Sequence, residues 1–485
     1  MSCALAVAAV VLTGCATVVF NPATNAALSA ATPPNMGSPT DFMRENSIAL
    51  SFSGGGLRAA AFAHGVLTAL ASAKTADGDL LDDVALISSV SGSALTAAYY
   101  GVYGREGLAR FRSEVLLPGF ESELRLSLLS PANLMRLLGG GLNARENFGD
   151  RLDRNVFHGA TFADIYRRPG PEIRIHATDL YYRVPFPFIP ILFSILCSDL
   201  SRYSVADAVA ASMAVPVLFA PVVVRSYPDN CEPLPPVVTS LRSKPAATRQ
   251  MNAILKATAA YRDPEHVRFI KLADGGLTDN FGVSTLTISR LAYGTPYAPM
   301  TERDAVKIRR LLLVVVDASQ GPNGDWTHRE AGPSGLDLAL SATDAAVDAA
   351  ARYAADAFGR MVQEWQESVI AFRCGLKPAD VARLGGPAQW NCSDVKFSLA
   401  YLSVEDLDSP MRERIESVHT RLTLRPDEID ATIEAAREAT LALPRLRVYL
   451  HGRVSRPLAS VGGSGGADRE REKHAEMHRQ RVPAD

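Results

Sequence analysis

Ser91 stands where a buried strand gives way to a helix. Val84 to Val90 are apolar or small, with β-branched members, and Ser93 to Tyr100 suit a helix. A serine on a tight strand-to-helix turn projects its hydroxyl beside a helix N-terminus, where a developing negative charge is stabilised. Such a nucleophile elbow needs small residues two places before and two places after the serine, because strand and helix pass close together. Here they are Ser89 and Ser93, where glycines are usual, so the Gly-x-Ser-x-Gly pattern is met in part. Centring it on Ser93 instead would put Leu95 at a small-residue position, which makes Ser91 the better nucleophile. Taken alone, a serine-rich strand end also reads as a plain turn or helix cap.

Two further stretches bear on that choice. Ser47 to Phe52 alternate as a strand, run into Gly54, Gly55 and Gly56, and continue past Arg58 into the helical run Ala59 to Ala73. Bare amides at consecutive glycines can converge on an anion. As an oxyanion hole, one well-placed donor contributes about 3 kcal/mol to the transition state. As a phosphate cradle the loop lacks the Lys-[Ser/Thr] ending of a P-loop, and it does not fit Gly-x-Gly-x-x-Gly. The third stretch delivers Asp274 from an apolar strand into Gly275-Gly276. A carboxylate so placed can act as a base in a cleft, or can simply hold a turn.

In this order the stretches resemble the patatin-like phospholipase family, here as a bacterial lipoprotein member. The matching pieces are Ser53 to Arg58, Ser89 to Ser93 and Asp274 to Gly282, joined by Ala210-Ala211-Ser212-Met213-Ala214-Val215-Pro216. The resemblance implies a three-layer α/β/α fold with a mainly parallel sheet and extra C-terminal helices. It implies a Ser-Asp dyad of Ser91 and Asp274, with Gly54, Gly55 and Gly56 as oxyanion hole and Arg58 close by. It also implies phospholipid or lysophospholipid substrates, with no metal and no cofactor. A carboxylesterase or thioesterase acting on smaller acyl compounds shares that chemistry. A lipid-binding envelope lipoprotein without turnover is the alternative of a different class.

The elements that must position these groups follow from the rest of the chain. Its 485 residues, 47% hydrophobic and 21% charged, can bury a large core. A formal net charge of −2 gives no field that would draw it to nucleic acid, which excludes that class. Cys3 to Val19 form an apolar run carrying Leu12-Thr13-Gly14-Cys15, which looks like a lipobox with Cys15 as the lipidated residue. No Lys or Arg precedes Arg44, so the segment reads as a lipoprotein leader or as an uncleaved anchor, and the Leu-Thr-Gly-Cys ending favours the former. The expected division is a signal segment over 1–15, a flexible tether over 16–46, the phospholipase-like domain over 47–445 and a disordered charged tail over 446–485. The expected location is the bacterial envelope, lipid-anchored at a membrane surface and facing the periplasm, with the outer membrane favoured.

Alternation of strands and helices over 48–319 predicts the three-layer fold by itself, with the site at the strands' carboxyl ends. The clearest buried strand ends at Asp317, a second candidate for the base. Glu172 to Leu180 alternate as a strand, and Thr178 and Asp179 fall where the resemblance implies a structural Thr-Asp or Thr-Asn pair. The three prolines of Val184 to Cys197 argue against a regular helix or central strand, so this apolar stretch is expected to be a loop, packed in the core or as a lid, walling an acyl tunnel or touching lipid. The leucine-rich run Phe111 to Leu138 is expected as core or as a cover over the cleft. Lys244 to Ala259, Leu336 to Val369 and Pro426 to Leu443 are expected helices, and everything beyond Gln320 is expected to pack on the sheet as helices. His64 and the later histidines (His328, His419, His451, His474 and His478) read as packed or surface residues. Of six cysteines, Cys197, Cys231, Cys374 and Cys392 follow the lipobox. Their closest pairings are Cys197 with Cys231 and Cys374 with Cys392, or all four remain free thiols.

Overall fold

Both faces of the sheet are covered, which is why its central strands read as unbroken apolar runs. The computed structural model describes residues 21–28, 43–124, 140–145, 147–231, 233–243, 248–319, 321, 325–333 and 335–454. Its sheet contains β1 (Asn46–Phe52), β2 (Val84–Val90), β3 (Glu172–Asp179), β4 (Val184–Pro187), β5 (Val222–Arg225), β6 (Phe269–Asp274), β7 (Arg310–Asp317) and β8 (Lys396–Ser403). The order is β8-β7-β1-β2-β3-β6-β5, with β4 paired to β3 outside that path. Strands β8 through β3 are parallel to one another. Strand β6 runs antiparallel to β3, and β5 antiparallel to β6.

Eight helices matter for the site: α1 (Gly56–Ser72), α2 (Gly92–Phe111), α3 (Pro190–Ile195), α4 (Val205–Ser212), α5 (Arg249–Ala260), α6 (Ser284–Tyr293), α7 (Gly335–Cys374) and α8 (Pro426–Ala442). Leu50, Phe52, Leu312 and Val314 point to the core shared with α1, α2 and α8. Their strand neighbours Ala49, Leu311, Leu313 and Val315 point to a second core with Phe358 and Trp365 of α7. This is the three-layer α/β/α arrangement with a mainly parallel sheet.

Several expectations change. The stretch from Val184 is an antiparallel strand followed by a helix, and its prolines explain how. Pro185 and Pro187 sit in β4, which pairs only with β3, where a missing donor costs little; Pro190 opens α3, where its N–H would have no partner anyway. Phe186, Phe188 and Phe193 are buried against one another. The opposite side of the segment lines an apolar cavity of about 140 Å³ shared with α5 and α6. Beyond residue 320 the chain is not all helical. It adds β8 at the sheet edge, parallel to β7, where Phe397, Ala400 and Leu402 are buried and Leu399 is half-buried against the second core.

Part of the expected tether is docked. Thr24 donates its amide to Val223 O at 2.9 Å, and Asn25 exchanges hydrogen bonds with the Arg225 backbone, so residues 21–28 cover the free edge of β5. The expected tail also begins too early. Helix Pro444–Val454 continues the fold, with Tyr449 and Arg453 both on the buried carboxylate of Asp83. The lipobox with Cys15, residues 125–138 of the leucine-rich run, and residues 455–485 lie outside the described residues. Among the described residues no helix is long and apolar enough to cross a membrane.

Both nearest-neighbour disulfides are formed. Cys197–Cys231 ties the chain after α3 to the loop after β5, and Cys374–Cys392 ties the end of α7 to the approach to β8. The second closes a loop of 18 residues. Cys374→Ser is therefore expected to lower the unfolding free energy by about 3 kcal/mol. A denaturant titration checks this, and added reductant should bring the parent toward the variant.

Candidate active site

Ser91 is held at φ 54° and ψ −128°, a left-handed backbone that a serine adopts only under constraint. The constraint is a chain of buried hydrogen bonds. The Ser91 amide donates to Ser212 Oγ at 2.8 Å, and that hydroxyl donates to the His176 carbonyl at 2.6 Å, fixing the elbow to the end of α4 and to β3. The two serines that stand where glycines are usual are put to use. Ser89 Oγ donates to Arg174 O, and Ser93 Oγ reaches both Val90 O and Phe52 O, so each ties the elbow to a neighbouring strand. Gly92, just after the elbow, tolerates no side chain. A Cβ there would lie 1.8 Å from Gly56 O, because the first turns of α1 and α2 meet at that point. Gly92→Ala is expected to cost several kcal/mol of stability, on the order of 3 or more, read as a fall in the denaturation midpoint.

The antiparallel direction of β6 explains how serine and aspartate meet. Strand β3 pairs with β2 as far as His176, opposite Val90, and with β6 from Ala177, opposite Asp274. Ser91 leaving β2 and Asp274 arriving on β6 thus come to adjacent levels of one strand from opposite directions. Ser91 Oγ donates to Asp274 Oδ2 at 2.7 Å, while Asp274 Oδ1 accepts the Gly276 amide at 2.9 Å. Burial pushes the Asp274 carboxyl up to about 6, against the opposing pull of the Ser91 and Gly276 hydrogen bonds. Both side chains are nearly buried, Ser91 at 7% exposure and Asp274 at 8%.

The glycine loop lies beside this pair, and its three amides are not equivalent. Gly54 N–H already donates to Asn280 Oδ1 at 3.2 Å, and Leu57 N–H donates to Arg421 O. Between them, the amides of Gly55 and Gly56 are not hydrogen-bonded among the described residues, and the α1 ladder starts only with Ala59 N–H to Gly55 O. Gly55 has φ 137°, and a Cβ there would sit 2.8 Å from Ala318 O, so the position accepts only glycine. Of the three expected amides, those of Gly55 and Gly56 are the ones left without a hydrogen bond among the described residues.

Arg58 is not aimed at Ser91. Its fully buried guanidinium binds the carbonyls of Ala318 and Val418, and burial lowers it to about 10. It braces the two loops behind the glycine turn. Asp317 has no hydrogen bond to Ser91 among the described residues and accepts the Ser319 amide. Thr178 meets Thr278, and Asp179 accepts Tyr261 OH and the amides of Tyr181 and Tyr182 at the end of β3. His64 is buried against Phe111 and pushed down to about 4 by desolvation. Among the described residues no histidine side chain hydrogen-bonds to Ser91 or Asp274.

Two contributors carried no role in the sequence reading. Ser212 holds the nucleophile's amide, and Asn280 binds Gly54 with its oxygen and Ser319 with its nitrogen. Both lie inside the stretches that carry the family resemblance, so their positions were visible. Their partners were not, because those lie 121 and 226 residues away in the chain.

Residues 50–287 match the family model described as Patatin-like phospholipase. Among solved structures, human GIVD cytosolic phospholipase A2 aligns at 13% identity over 85% of this chain, with a TM-score of 0.38; the alignment spans 63% of that protein's chain. VipD from Legionella pneumophila aligns at 11% identity over 90% of this chain and 71% of its own, with a TM-score of 0.31. No curated protein matches the chain.

Proposed function

The chain belongs to the patatin-like phospholipase family through residues 50–287, and from that membership we propose that it is a serine acyl hydrolase cleaving lipid esters of the phospholipase A or lysophospholipase type. The observation that carries the reading is the 2.7 Å hydrogen bond from Ser91 Oγ to Asp274 Oδ2 at a strained elbow beside two unengaged glycine amides.

Ser91 Oγ attacks the ester carbonyl carbon as its proton passes to Asp274. The carbonyl oxygen becomes an oxyanion and accepts hydrogen bonds from the Gly55 and Gly56 amides. Collapse breaks the ester C–O bond, and the Asp274 proton goes to the departing alcohol, leaving an acyl-Ser91. Water then attacks that acyl group, giving its proton to Asp274, and collapse returns the proton to Ser91 Oγ and releases the fatty acid. A base elevated to about 6 is ionised at neutral pH yet more basic than an ordinary carboxylate, which suits both transfers.

We further propose that the protein works in the bacterial cell envelope, facing the periplasm and anchored through Cys15. The Leu12-Thr13-Gly14-Cys15 sequence supports this, as do two disulfides, which persist in oxidising compartments. The test is fatty acid release from mixed phospholipid vesicles, with short-chain esters and thioesters run in parallel. Release from vesicles supports the lipid hydrolase. Turnover of the small substrates alone would make it a carboxylesterase or thioesterase, and no turnover of any would leave a lipid-binding lipoprotein.

A further inference from the structure

The strand that ends at Asp274 begins at an exposed aromatic and basic ledge. Phe269, at the outer end of β6, is 46% exposed; beside it, in the turn between β3 and β4, Leu180 is 37% and Tyr181 77% exposed. Tyr181 and Phe269 share the lining of one concavity with His266, Arg268 and Lys271. Lys271 Nζ lies 5.2 Å and the Arg225 guanidinium 5.9 Å from the centre of the Phe269 ring. Lys271, Arg225, Arg268 and Arg183 are all exposed. The nearby carboxylates are Glu265, Asp263, which His266 engages at 2.7 Å, and Asp179, which is buried and held by Tyr261 OH. Positive charge is therefore in excess. The five residue steps of β6 from Phe269 to Asp274 set the ledge about 16 Å from the site, at the end of β3 toward which β2 and Ser91 also point.

We propose that this ledge is the surface by which the protein docks on an anionic phospholipid bilayer. Tyrosine rings with an apolar body and a polar tip suit the headgroup level, and cations near the surface are drawn to anionic lipid. Because Tyr181, Phe269 and Lys271 lie at the end of the sheet where Ser91 and Asp274 meet, docking there presents the candidate site to the lipid. The inference deepens the lipid hydrolase reading by assigning the membrane-facing surface.

The test uses the full chain carrying Cys15→Ala, so that lipidation makes no contribution, with vesicles of phosphatidylcholine mixed with phosphatidylglycerol and vesicles of phosphatidylcholine alone. Arg268→Gln with Lys271→Gln is expected to weaken binding to the mixed vesicles at least about tenfold and to leave short-chain ester turnover unchanged. In a Tyr181→Trp variant, the added tryptophan is expected to shift to the blue on mixed vesicles and to be quenched by brominated lipid. This readout reports contact at the ledge even where the N-terminal apolar run also binds. No shift and no quenching while the protein is vesicle-bound overturns the proposal, as does equal binding to both vesicle types. A Ser91→Ala form separates the two claims. Ledge contact in that form with no turnover by the parent keeps the docking surface and removes the hydrolase reading, whereas turnover without ledge contact does the reverse.

Discussion

Ser91→Ala is expected to lower ester hydrolysis by roughly four orders of magnitude or more while leaving the fold intact, because in the proposed mechanism the substitution removes the atom that bonds to the acyl group. Stability should change little. Ser91 Oγ makes one buried hydrogen bond, to Asp274, whereas the elbow is held through the Ser91 amide, which alanine keeps. The strain at φ 54° also remains, since alanine is no more at ease there than serine. Initial rates on a short-chain ester, set beside a denaturant titration, separate lost chemistry from lost structure. A variant retaining a tenth of parental activity would mean that another group attacks the ester.

Asp274→Asn is expected to lose roughly three to four orders of magnitude in rate and, at the same time, to gain stability above neutral pH. The two effects have one cause. The folded protein raises this carboxyl from an unfolded value near 3.8 to about 6 by burial, so the ionised form is the disfavoured one. The native state therefore binds more protons than the unfolded state between these values. Stability from this group is fully present below about pH 4 and is lost as the pH rises through about 6, with a cost on the order of 2–3 kcal/mol above it. Asparagine carries no such cost; its carbonyl oxygen can keep the Gly276 amide while its NH2 donates to Ser91 Oγ, a hydroxyl that can turn to accept. Activity has the opposite dependence, rising through pH 6 as the base ionises. Unfolding measured at pH 4.5 and pH 8 checks the first effect, since the variant should exceed the parent only at the higher pH. The pH–rate profile checks the second.

The chemistry-bearing stretches were legible because each combines a buried strand with a backbone requirement that composition reveals. Val84 to Val90 can only be an interior strand, and three successive glycines admit few backbone roles. The Ser89 and Ser93 departures did not mislead, because a serine hydroxyl can turn back onto a strand carbonyl, as both do here. What sequence could not show depends on long-range partners. Gly54 is chemically the equal of Gly55 and Gly56 until Asn280 takes its amide. Arg58 next to an oxyanion loop invites a catalytic role, yet the carbonyls of Ala318 and Val418 claim it.

Direction and edge effects were equally hidden. An apolar strand reads the same whether it runs parallel or antiparallel, so the head-on approach of Asp274 to Ser91 appears only in the register along β3. Residues 21–28 lack periodicity because they bind through backbone groups and Asn25 to a free sheet edge, which selects no apolar pattern. The prolines of Val184 to Pro190 signalled a break in regular structure, whereas an outlying strand and a helix first turn are the two settings that accept them.

The most direct test of the account is reaction of the parent, Ser91→Ala and Asp274→Asn proteins with a fluorophosphonate, followed by mass mapping of the modified residue. The account predicts a single adduct on Ser91 of the parent, formed faster as the pH rises through about 6, none on Ser91→Ala, and formation slowed by orders of magnitude in Asp274→Asn. An adduct on another residue of the parent, or labelling of Ser91 at the same rate without Asp274, would contradict it.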